Sequence, residues 1–199
     1  MMPMQPYLIL GSRSPRRSQL LTEAGYSFTI RVNETDESFD PTMPVLEVAE
    51  MLACRKAEAL RDELTSEEVL LTADSVVILD QMIYNKPRDA EDAKQMLGAL
   101  SGKTHTVATG VCILSRMEWR SMTVFTQITF DLLDDSEIDH YLDVYRPYDK
   151  AGSYGVQDWI GLCKVSKIDG SYSNVMGLPM REVYHELCNF QIFPTQFRR

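Results

Sequence analysis

The sequence predicts an α/β protein, because apolar runs typical of buried strands alternate with segments of helical periodicity. The first run, residues 7–10, ends at Gly11 and is followed by a helix that begins at Pro15. The most apolar run, residues 69–73, follows a long predicted helix. Another strand is expected over residues 105–114, after a helix that Gly102 ends.

The composition is that of a globular protein with a proper core. The chain has 199 residues, of which 44% are hydrophobic, and a net charge of −9. This length suits one domain or two small lobes, and we assign residues 1–199 to a single domain. The negative charge argues against general nucleic-acid binding, which needs a basic face. It remains compatible with one local basic pocket for a small phosphorylated ligand.

The cysteines and the N-terminus indicate a cytoplasmic setting. Cys54, Cys112, Cys163 and Cys188 are scattered and form no C-x-x-C pair, which predicts reduced thiols rather than a zinc site or a disulfide framework. Residues 1–6 lack the basic region and apolar run of a signal peptide. No stretch is long enough to span a membrane, so we expect no membrane partner. The negative charge is the reason why we also expect no nucleic-acid partner.

The loop after the first strand has the features of a phosphate site. Ser14, directly before Pro15, is a predicted N-cap, and a helix N-terminus attracts anions. Arg16 and Arg17 oppose the helix dipole, which favours carboxylates in the first turn. Either both arginines point into solvent, or they and Ser12 hold a polyanion. We favour the second interpretation because it explains both cations.

The next stretch contains a predicted strand, residues 26–32, and a long helix, residues 45–64. Between them lies an acidic loop that includes Glu37, which is either a solvated surface or a carrier of a divalent cation. Lys56 falls on the apolar stripe of the helix. Its side chain either extends to water or reaches inward to an anion, and periodicity alone does not separate the two.

Asp74 interrupts the most apolar segment of the chain. The strand over residues 69–73 is expected to end at Asp74 and Ser75, and a strand resumes over residues 76–79. Burying an unpaired aspartate is costly. Asp74 therefore either caps a turn or places a carboxylate at the end of a central strand, where open α/β sheets have their sites. No glycine or proline accompanies it, which favours the second interpretation.

The remaining elements follow from caps, turns and periodicity. They are a turn at 80–81 leading to residues 83–84, a helix 89–100, strands 105–114 and 122–132, a helix from Asp134 through Leu142, a hairpin of residues 162–168 and 171–172 around 169–170, a short loop 174–178, and a helix 179–189.

Three further positions carry open alternatives. Lys86 precedes a helix and is either an ordinary surface lysine or a second phosphate contact. The loop over residues 148–157 either connects two elements or reads a nucleoside, with Gln157 paired to a base edge. His105 is a lone histidine, which is more often structural than catalytic.

Together these stretches resemble the Maf family, nearly from end to end. The resemblance rests on residues 12–17 (SRSPRR), 73–77 (ADSVV), 86–88 (KPR), 101–105 (SGKTH), 149–157 (DKAGSYGVQ) and 177–179 (GLP). It implies an α/β, ITPase-like fold, with a mixed sheet, flanking helices and two lobes around one deep cleft. It also implies a nucleoside triphosphate pyrophosphatase that uses Mg²⁺ or Mn²⁺, and it is compatible with a homodimer.

The resemblance is to the dTTP/UTP branch of that family. Arg16, Arg17 and Gln157 match the branch, whereas Ser75 stands where the branch has threonine and keeps the hydroxyl. The alternatives are a 7-methyl-GTP pyrophosphatase and a non-catalytic nucleotide-binding regulator.

The resemblance also implies site residues. Asp74 is expected to be the general base, although a role as metal ligand remains open, and Glu37 and Asp74 are the expected metal ligands. The expected contacts to the small-molecule nucleotide are Ser12, Ser14, Arg16, Arg17, Lys56, Ser75, Lys86, Lys150 and Gln157.

Overall fold

The computed structural model describes residues 6–197 and confirms the predicted α/β class. Within that range the strands are β1 (Tyr7–Leu10), β2 (Phe28–Ile30), β3 (Glu68–Leu79), β4 (Met82–Tyr84), β5 (Thr104–Leu114), β6 (Trp119–Phe130) and β7 (Val165–Asp169). The helices are α1 (Pro15–Glu23), α2 (Val48–Glu58), α3 (Ala90–Leu100), α4 (Asp135–Tyr145), α5 (Trp159–Lys164), α6 (Tyr172–Val175) and α7 (Met180–Asn189). Residues 1–5, on which the expectation of no signal peptide largely rests, lie outside the described residues.

The strands form a mixed sheet in the order β2-β1-β3-β5-β6-β7, with β4 paired to β3. Strand β1 runs parallel to β2 and β3, whereas the β3–β4 and β6–β7 pairs are antiparallel. The predicted mixed sheet is therefore confirmed. Across residues 6–197, none of the helices has the length and apolarity that a membrane span requires.

Two predicted elements are shorter than expected. The helix predicted over residues 45–64 is α2, followed by a separate 3₁₀ turn at Arg61–Glu63. Leu60 and Leu64 are nevertheless buried in the same core as the apolar face of α2. The spacing of apolar residues therefore predicted which side chains are buried, although the backbone there forms a 3₁₀ turn and not a continuous α-helix. Strand β2 covers only Phe28–Ile30, since β1 offers partners to those three residues alone.

Strand β3 corrects the expectation that a strand ends at Asp74. The strand is continuous from Glu68 to Leu79. Its pairing with β1 stops at Leu71, and its pairing with β4 begins at Val77, so one partner strand replaces another around Asp74. Asp74 is thus in mid-strand and not at a strand end, although it lies beyond the carboxyl end of the neighbouring strand β1.

The predicted hairpin over residues 162–172 is wrong. Residues 162–164 belong to helix α5, and β7 pairs with β6 instead. Ser171 caps helix α6 by accepting a hydrogen bond from the Asn174 backbone N–H, so the segment after Gly170 turns into a helix. Asn174, predicted in a short loop, is buried and donates to the Val107 carbonyl and the Thr126 hydroxyl. A buried amide that donates to two distant acceptors leaves no periodic pattern in the sequence, so it could not be predicted from spacing.

The caps of two helices and one turn agree with the prediction. Asp89 accepts from the Asp92 N–H at 2.8 Å at the start of α3, and Asp134 and Glu137 form a complete capping box on α4. Asp80 and Gln81 have φ of 51° and 62° in the turn between β3 and β4. The four cysteines are not disulfide bonded in the described structure.

The described chain divides into two compact units. Unit 1 comprises the described parts of 1–74, 109–124 and 177–199, and unit 2 comprises 75–108 and 125–176. Each unit has its own buried cluster: one includes Ile9, Ala53 and Leu70 in unit 1, and the other includes Leu97 and Tyr141 in unit 2. A single cleft shared by two lobes stays a prediction.

His105 lies inside the core of unit 2, as expected of a structural histidine. Its ring packs edge-on against Phe130 and Tyr154, and its Nε2 lies 2.7 Å from the Tyr154 hydroxyl oxygen. Burial lowers the pKa of His105 from its ordinary value of 6.5 to about 4. The folded state therefore favours the neutral ring.

We expect His105→Gln to flatten the acid side of the stability profile. The contribution of the neutral ring is fully present above pH 6.5 and is lost as the pH falls from there towards 4. The wild type should lose about 3 kcal/mol more unfolding free energy over that window than the variant. Urea unfolding of both proteins at several pH values measures this. If the unfolding free energies of the two proteins fell in parallel with pH, His105 would not be the buried neutral ring described above.

Candidate active site

Helix α2 of unit 1 lies against strand β5 with no space for a side chain between them. A Cβ added at Gly110 would be 2.2 Å from the carbonyl carbon of Ala49. The Thr72 hydroxyl of strand β3 donates to the Ala53 carbonyl of the same helix at 2.7 Å. The helix is therefore held at two points, and its C-terminal turn has a defined position over β3.

This packing brings Lys56 to Asp74. Thr72 and Asp74 are two residues apart in β3 and project from the same face of the strand, while Lys56 is one helical turn beyond Ala53. Lys56 Nζ lies 3.0 Å from Asp74 Oδ2, and the two side chains are 19% and 16% exposed. Of the two alternatives for Lys56, the structure shows the inward one, with a carboxylate of this chain as the anion.

Glu37 completes this cluster from the acidic loop. Its Oε1 lies 2.8 Å from Lys56 Nζ, so a single ammonium contacts two carboxylates. The loop is anchored on α2 as well, because Arg55 donates to the carbonyls of Asp36 and Ser38, both at 2.6 Å. Glu37 is thus placed by its neighbours in sequence, although its own side chain is half exposed.

The loop before α1 is organised around Ser12. The buried Ser12 hydroxyl oxygen accepts from the Ser14 N–H at 3.2 Å and from Arg17 Nη1 at 3.1 Å. Ser14 is the N-cap residue, as predicted, but its side chain makes no capping hydrogen bond. The Ser12 hydroxyl, two residues earlier, organises the turn instead.

Arg17 differs from Arg16 although both were expected to bind a polyanion. Arg17 is buried, and its guanidinium donates to the carbonyls of Gly177 and Ala73 at 2.7 and 2.8 Å. Burial lowers the pKa of Arg17 below its ordinary value, and the charge of Asp74 acts in the opposite direction. Arg16 is only half buried. Arg17 is therefore the buried arginine of the pair, and its guanidinium is bound to backbone carbonyls.

The predicted residues divide between the two units. Unit 1 contains seven of them, which are Ser12, Ser14, Arg16, Arg17, Glu37, Lys56 and Asp74. Six of these join in one run of contacts: the Ser12 hydroxyl contacts both Ser14 and Arg17, Arg17 binds the carbonyl next to Asp74, and Lys56 bridges Asp74 and Glu37.

The other four predicted residues, Ser75, Lys86, Lys150 and Gln157, belong to unit 2. Ser75 is half buried in β3 and Lys86 is exposed. Lys150 forms ion pairs with Asp149 at 2.9 Å and Asp158 at 4.0 Å.

Gln157 has a buried acceptor in unit 2. Its Oε1 is shielded from solvent and has no hydrogen-bond partner within residues 6–197. A buried amide oxygen without a donor is unfavourable in the ligand-free protein. It is therefore suited to accept a hydrogen bond from a ligand.

Sequence reasoning missed the Gly177 carbonyl and the anchoring role of Arg55. A backbone carbonyl carries no residue-type signal, and the only indication was the glycine itself, which has a φ of 108°. Arg55 adjoins Lys56 in sequence, but nothing in the helical periodicity indicates that it holds the acidic loop.

Glu37 and Asp74 fit a divalent cation. Carboxylate oxygens are the ligands that Mg²⁺ and Mn²⁺ prefer, and a site with one or two carboxylates is typically completed by waters and substrate phosphates. Both carboxylates already converge on one cationic atom, Lys56 Nζ. Within residues 6–197 no group of three or more His, Cys, Asp or Glu side chains is arranged to hold a metal.

Comparison with known proteins identifies the family. The family model described as "Maf-like protein" matches residues 7–190. The chain belongs to the Maf family. A Phocaeicola vulgatus protein named dTTP/UTP pyrophosphatase is 46% identical over 181 residues, which cover 90% of this chain and 94% of that protein.

Further relatives bear the same name. A Porphyromonas gingivalis protein is 46% identical, with 92% of this chain and 94% of the relative covered. A Flavobacterium psychrophilum protein is 43% identical, with 92% and 93% covered. Among solved structures, the Staphylococcus aureus Ham1 protein aligns over 62% of this Maf chain and 71% of its own, with 11% identity and a TM-score of 0.44.

We expect Lys56→Met to increase the affinity for Mn²⁺ in the absence of nucleotide, by roughly tenfold, because Glu37 and Asp74 lose the cation that they share. Electron paramagnetic resonance of unbound Mn²⁺ measures the affinity. As a matched control, the double variant Lys56→Met/Glu37→Gln should return it to about the wild-type value. Unchanged Mn²⁺ affinity in Lys56→Met would show that these carboxylates do not bind the metal.

Proposed function

We propose that this Maf protein is a nucleoside triphosphate pyrophosphatase that hydrolyses dTTP and UTP to the nucleoside monophosphate and pyrophosphate. The observation that carries the proposal is the position of Asp74, whose carboxylate contacts the Lys56 ammonium while Arg17 binds the adjacent carbonyl behind the Ser12 loop. The names of relatives at 43–46% identity support the same activity.

The phosphates of the substrate are assigned to the start of helix α1. The N-terminal end of a helix favours anions, and the hydroxyls of Ser12 and Ser14 and the guanidinium of Arg16 belong to this turn. Lys56 supplies a second cation. These groups give a local basic site in a protein whose net charge is −9.

Asp74 is the proposed general base. It takes the proton of the water that attacks the α-phosphorus, and the bond from that phosphorus to the α–β bridging oxygen breaks to release pyrophosphate. Base assistance of this kind contributes about 10²–10⁴-fold in rate. A divalent cation held by Glu37 and Asp74 would neutralise charge on the phosphates. Asp74 as metal ligand rather than base remains the alternative.

Base selection is assigned to Gln157 and Ser75. An amide presents one donor and one acceptor, which match the edge of a pyrimidine, and the buried Oε1 of Gln157 has an unused acceptor position within the described residues. Ser75 offers a hydroxyl directly after Asp74. Lys86 and Lys150 are retained as further nucleotide contacts.

The setting proposed for this activity is the cytoplasm, where free nucleotides are the substrate. Four cysteines without a disulfide are in keeping with a reducing compartment. A homodimer stays a prediction.

The deciding experiment is pyrophosphate release from dTTP, UTP, CTP, 7-methyl-GTP, pseudo-UTP and ITP, with Mg²⁺ or Mn²⁺. We expect release mainly from dTTP and UTP. Asp74→Asn should lose at least 10²-fold in kcat and still bind nucleotide, because it removes the base and keeps the shape of the side chain. Binding is measured by calorimetry.

The other outcomes separate the alternatives. Release mainly from 7-methyl-GTP would retain the chemistry and overturn the assignment of Gln157 and Ser75. Wild-type turnover in Asp74→Asn would remove Asp74 from the reaction. Folded protein that binds nucleotide without any release would indicate a regulatory binder.

Arg16→Ala should raise KM for dTTP by roughly tenfold or more, because a charge-assisted contact to phosphate is lost. Arg13, which is exposed on the same loop, provides the matched control, and Arg13→Ala should leave KM within about twofold. Steady-state kinetics of both variants test this. If both substitutions raised KM equally, Arg16 would act only through the overall surface charge and not through a specific phosphate contact.

A further inference from the structure

We propose that Arg17 is a positioning residue, which orients Asp74 through the Ala73 carbonyl and does not itself bind the phosphates. The inference rests on the proposed function, in which Asp74 acts on the attacking water. It separates two adjacent arginines that have the same chemistry in sequence and different surroundings in the structure.

The hydrogen bonds of Arg17 determine the orientation of its guanidinium. The side chain is buried, with 9% of the residue exposed. Nε donates to the Gly177 carbonyl at 2.7 Å, and Nη1 donates to the Ala73 carbonyl at 2.8 Å and to the Ser12 hydroxyl at 3.1 Å. Because a guanidinium is planar and rigid, acceptors on two of its nitrogens define its plane.

The bond to Ala73 acts on the residue that follows it. A peptide unit is planar, so the Ala73 carbonyl, the Asp74 N–H and the Asp74 Cα lie in one plane. Holding the Ala73 oxygen therefore fixes the peptide plane that precedes Asp74, and the extended backbone of β3 then sets the direction in which the Asp74 side chain leaves it. Lys56 then contacts the carboxylate at 3.0 Å, so Asp74 is oriented at both its backbone and its side-chain end.

The acceptors of Arg17 are far apart in sequence. Ala73 and Gly177 lie 56 and 160 residues from it, and both belong to unit 1. For Nε or Nη1 to contact a phosphate, at least one of these buried carbonyls would lose its donor, which is unfavourable. Arg16 is the more exposed of the two side chains, so of the two arginines it is the one assigned to the phosphates.

Kinetics of Arg17→Lys and Arg16→Lys distinguish positioning from phosphate binding. Arg17→Lys keeps a cation but loses the planar fork, and we expect kcat for dTTP to fall roughly 10²-fold, since small displacements of reacting groups have effects of that size. KM should stay within about threefold. Arg16→Lys should show the opposite division, with a raised KM and a smaller effect on kcat. A raised KM with unchanged kcat in Arg17→Lys would overturn the inference.

Rescue by a small molecule tests the geometry directly. Arg17→Ala leaves an enclosed space with two carbonyls and a hydroxyl on its walls, so guanidinium chloride at low millimolar concentration should restore kcat at least tenfold. The same addition should have no such effect on Arg16→Ala, where the site is more open. No rescue in an Arg17→Ala protein with a wild-type melting temperature would count against the positioning role.

Two further measurements test the inference, one for the case in which no nucleotide is hydrolysed and one for the case in which the Arg17 variants unfold. Hydrogen exchange of Arg17→Lys should increase around residues 72–75 and 177–178, and unchanged exchange there would overturn the inference whatever the activity.

In the unmutated protein, a dTTP analogue with a methylene α–β bridge should shift the Arg16 Nε–H NMR signal and leave that of Arg17 nearly in place. The reverse pattern would make Arg17 the phosphate ligand. Absent hydrolysis with altered exchange in Arg17→Lys would refute the proposed function alone.

Discussion

The contact between helix α2 and strand β5 is the constraint on which the candidate site of unit 1 depends. At Gly110 the helix backbone occupies the place of a side chain, and the Thr72 hydroxyl adds a hydrogen bond to the same helix. With the helix at this depth, the ammonium of Lys56 reaches the Asp74 carboxylate. A side chain at Gly110 would displace the helix and separate these charges, so a residue outside the cluster controls its geometry.

The charges of this cluster are balanced locally rather than by the whole chain. Lys56 lies between Glu37 and Asp74, and the buried guanidinium of Arg17 is within electrostatic range of both carboxylates. Burying an unpaired charge is unfavourable, so each cation stabilises the folded position of the neighbouring carboxylates. The four side chains therefore carry two positive and two negative charges, although the chain as a whole has a net charge of −9.

Local chemistry accounts for the elements that were predicted well. Strand β1, the Pro15 start of α1, the Asp89 cap and the Asp134–Glu137 capping box each depend on residues within a few positions of one another. The hairpin over residues 162–172 was wrong because the partner of β7 is β6, and because Ser171 caps a short helix in place of a second strand. Asp74 was expected at a strand end, but β4 continues the pairing of β3 beyond it.

By itself the sequence determined the α/β class, most element boundaries, and the residue types of the site, since these follow from periodicity, capping and motifs. It also predicted that Lys56 faces either water or an anion. Only the tertiary structure decided between those alternatives and separated Arg17 from Arg16. The reason is physical: their partners, the Asp74 carboxylate and the carbonyls of Ala73 and Gly177, are brought near only when helices α1 and α2 pack on the sheet.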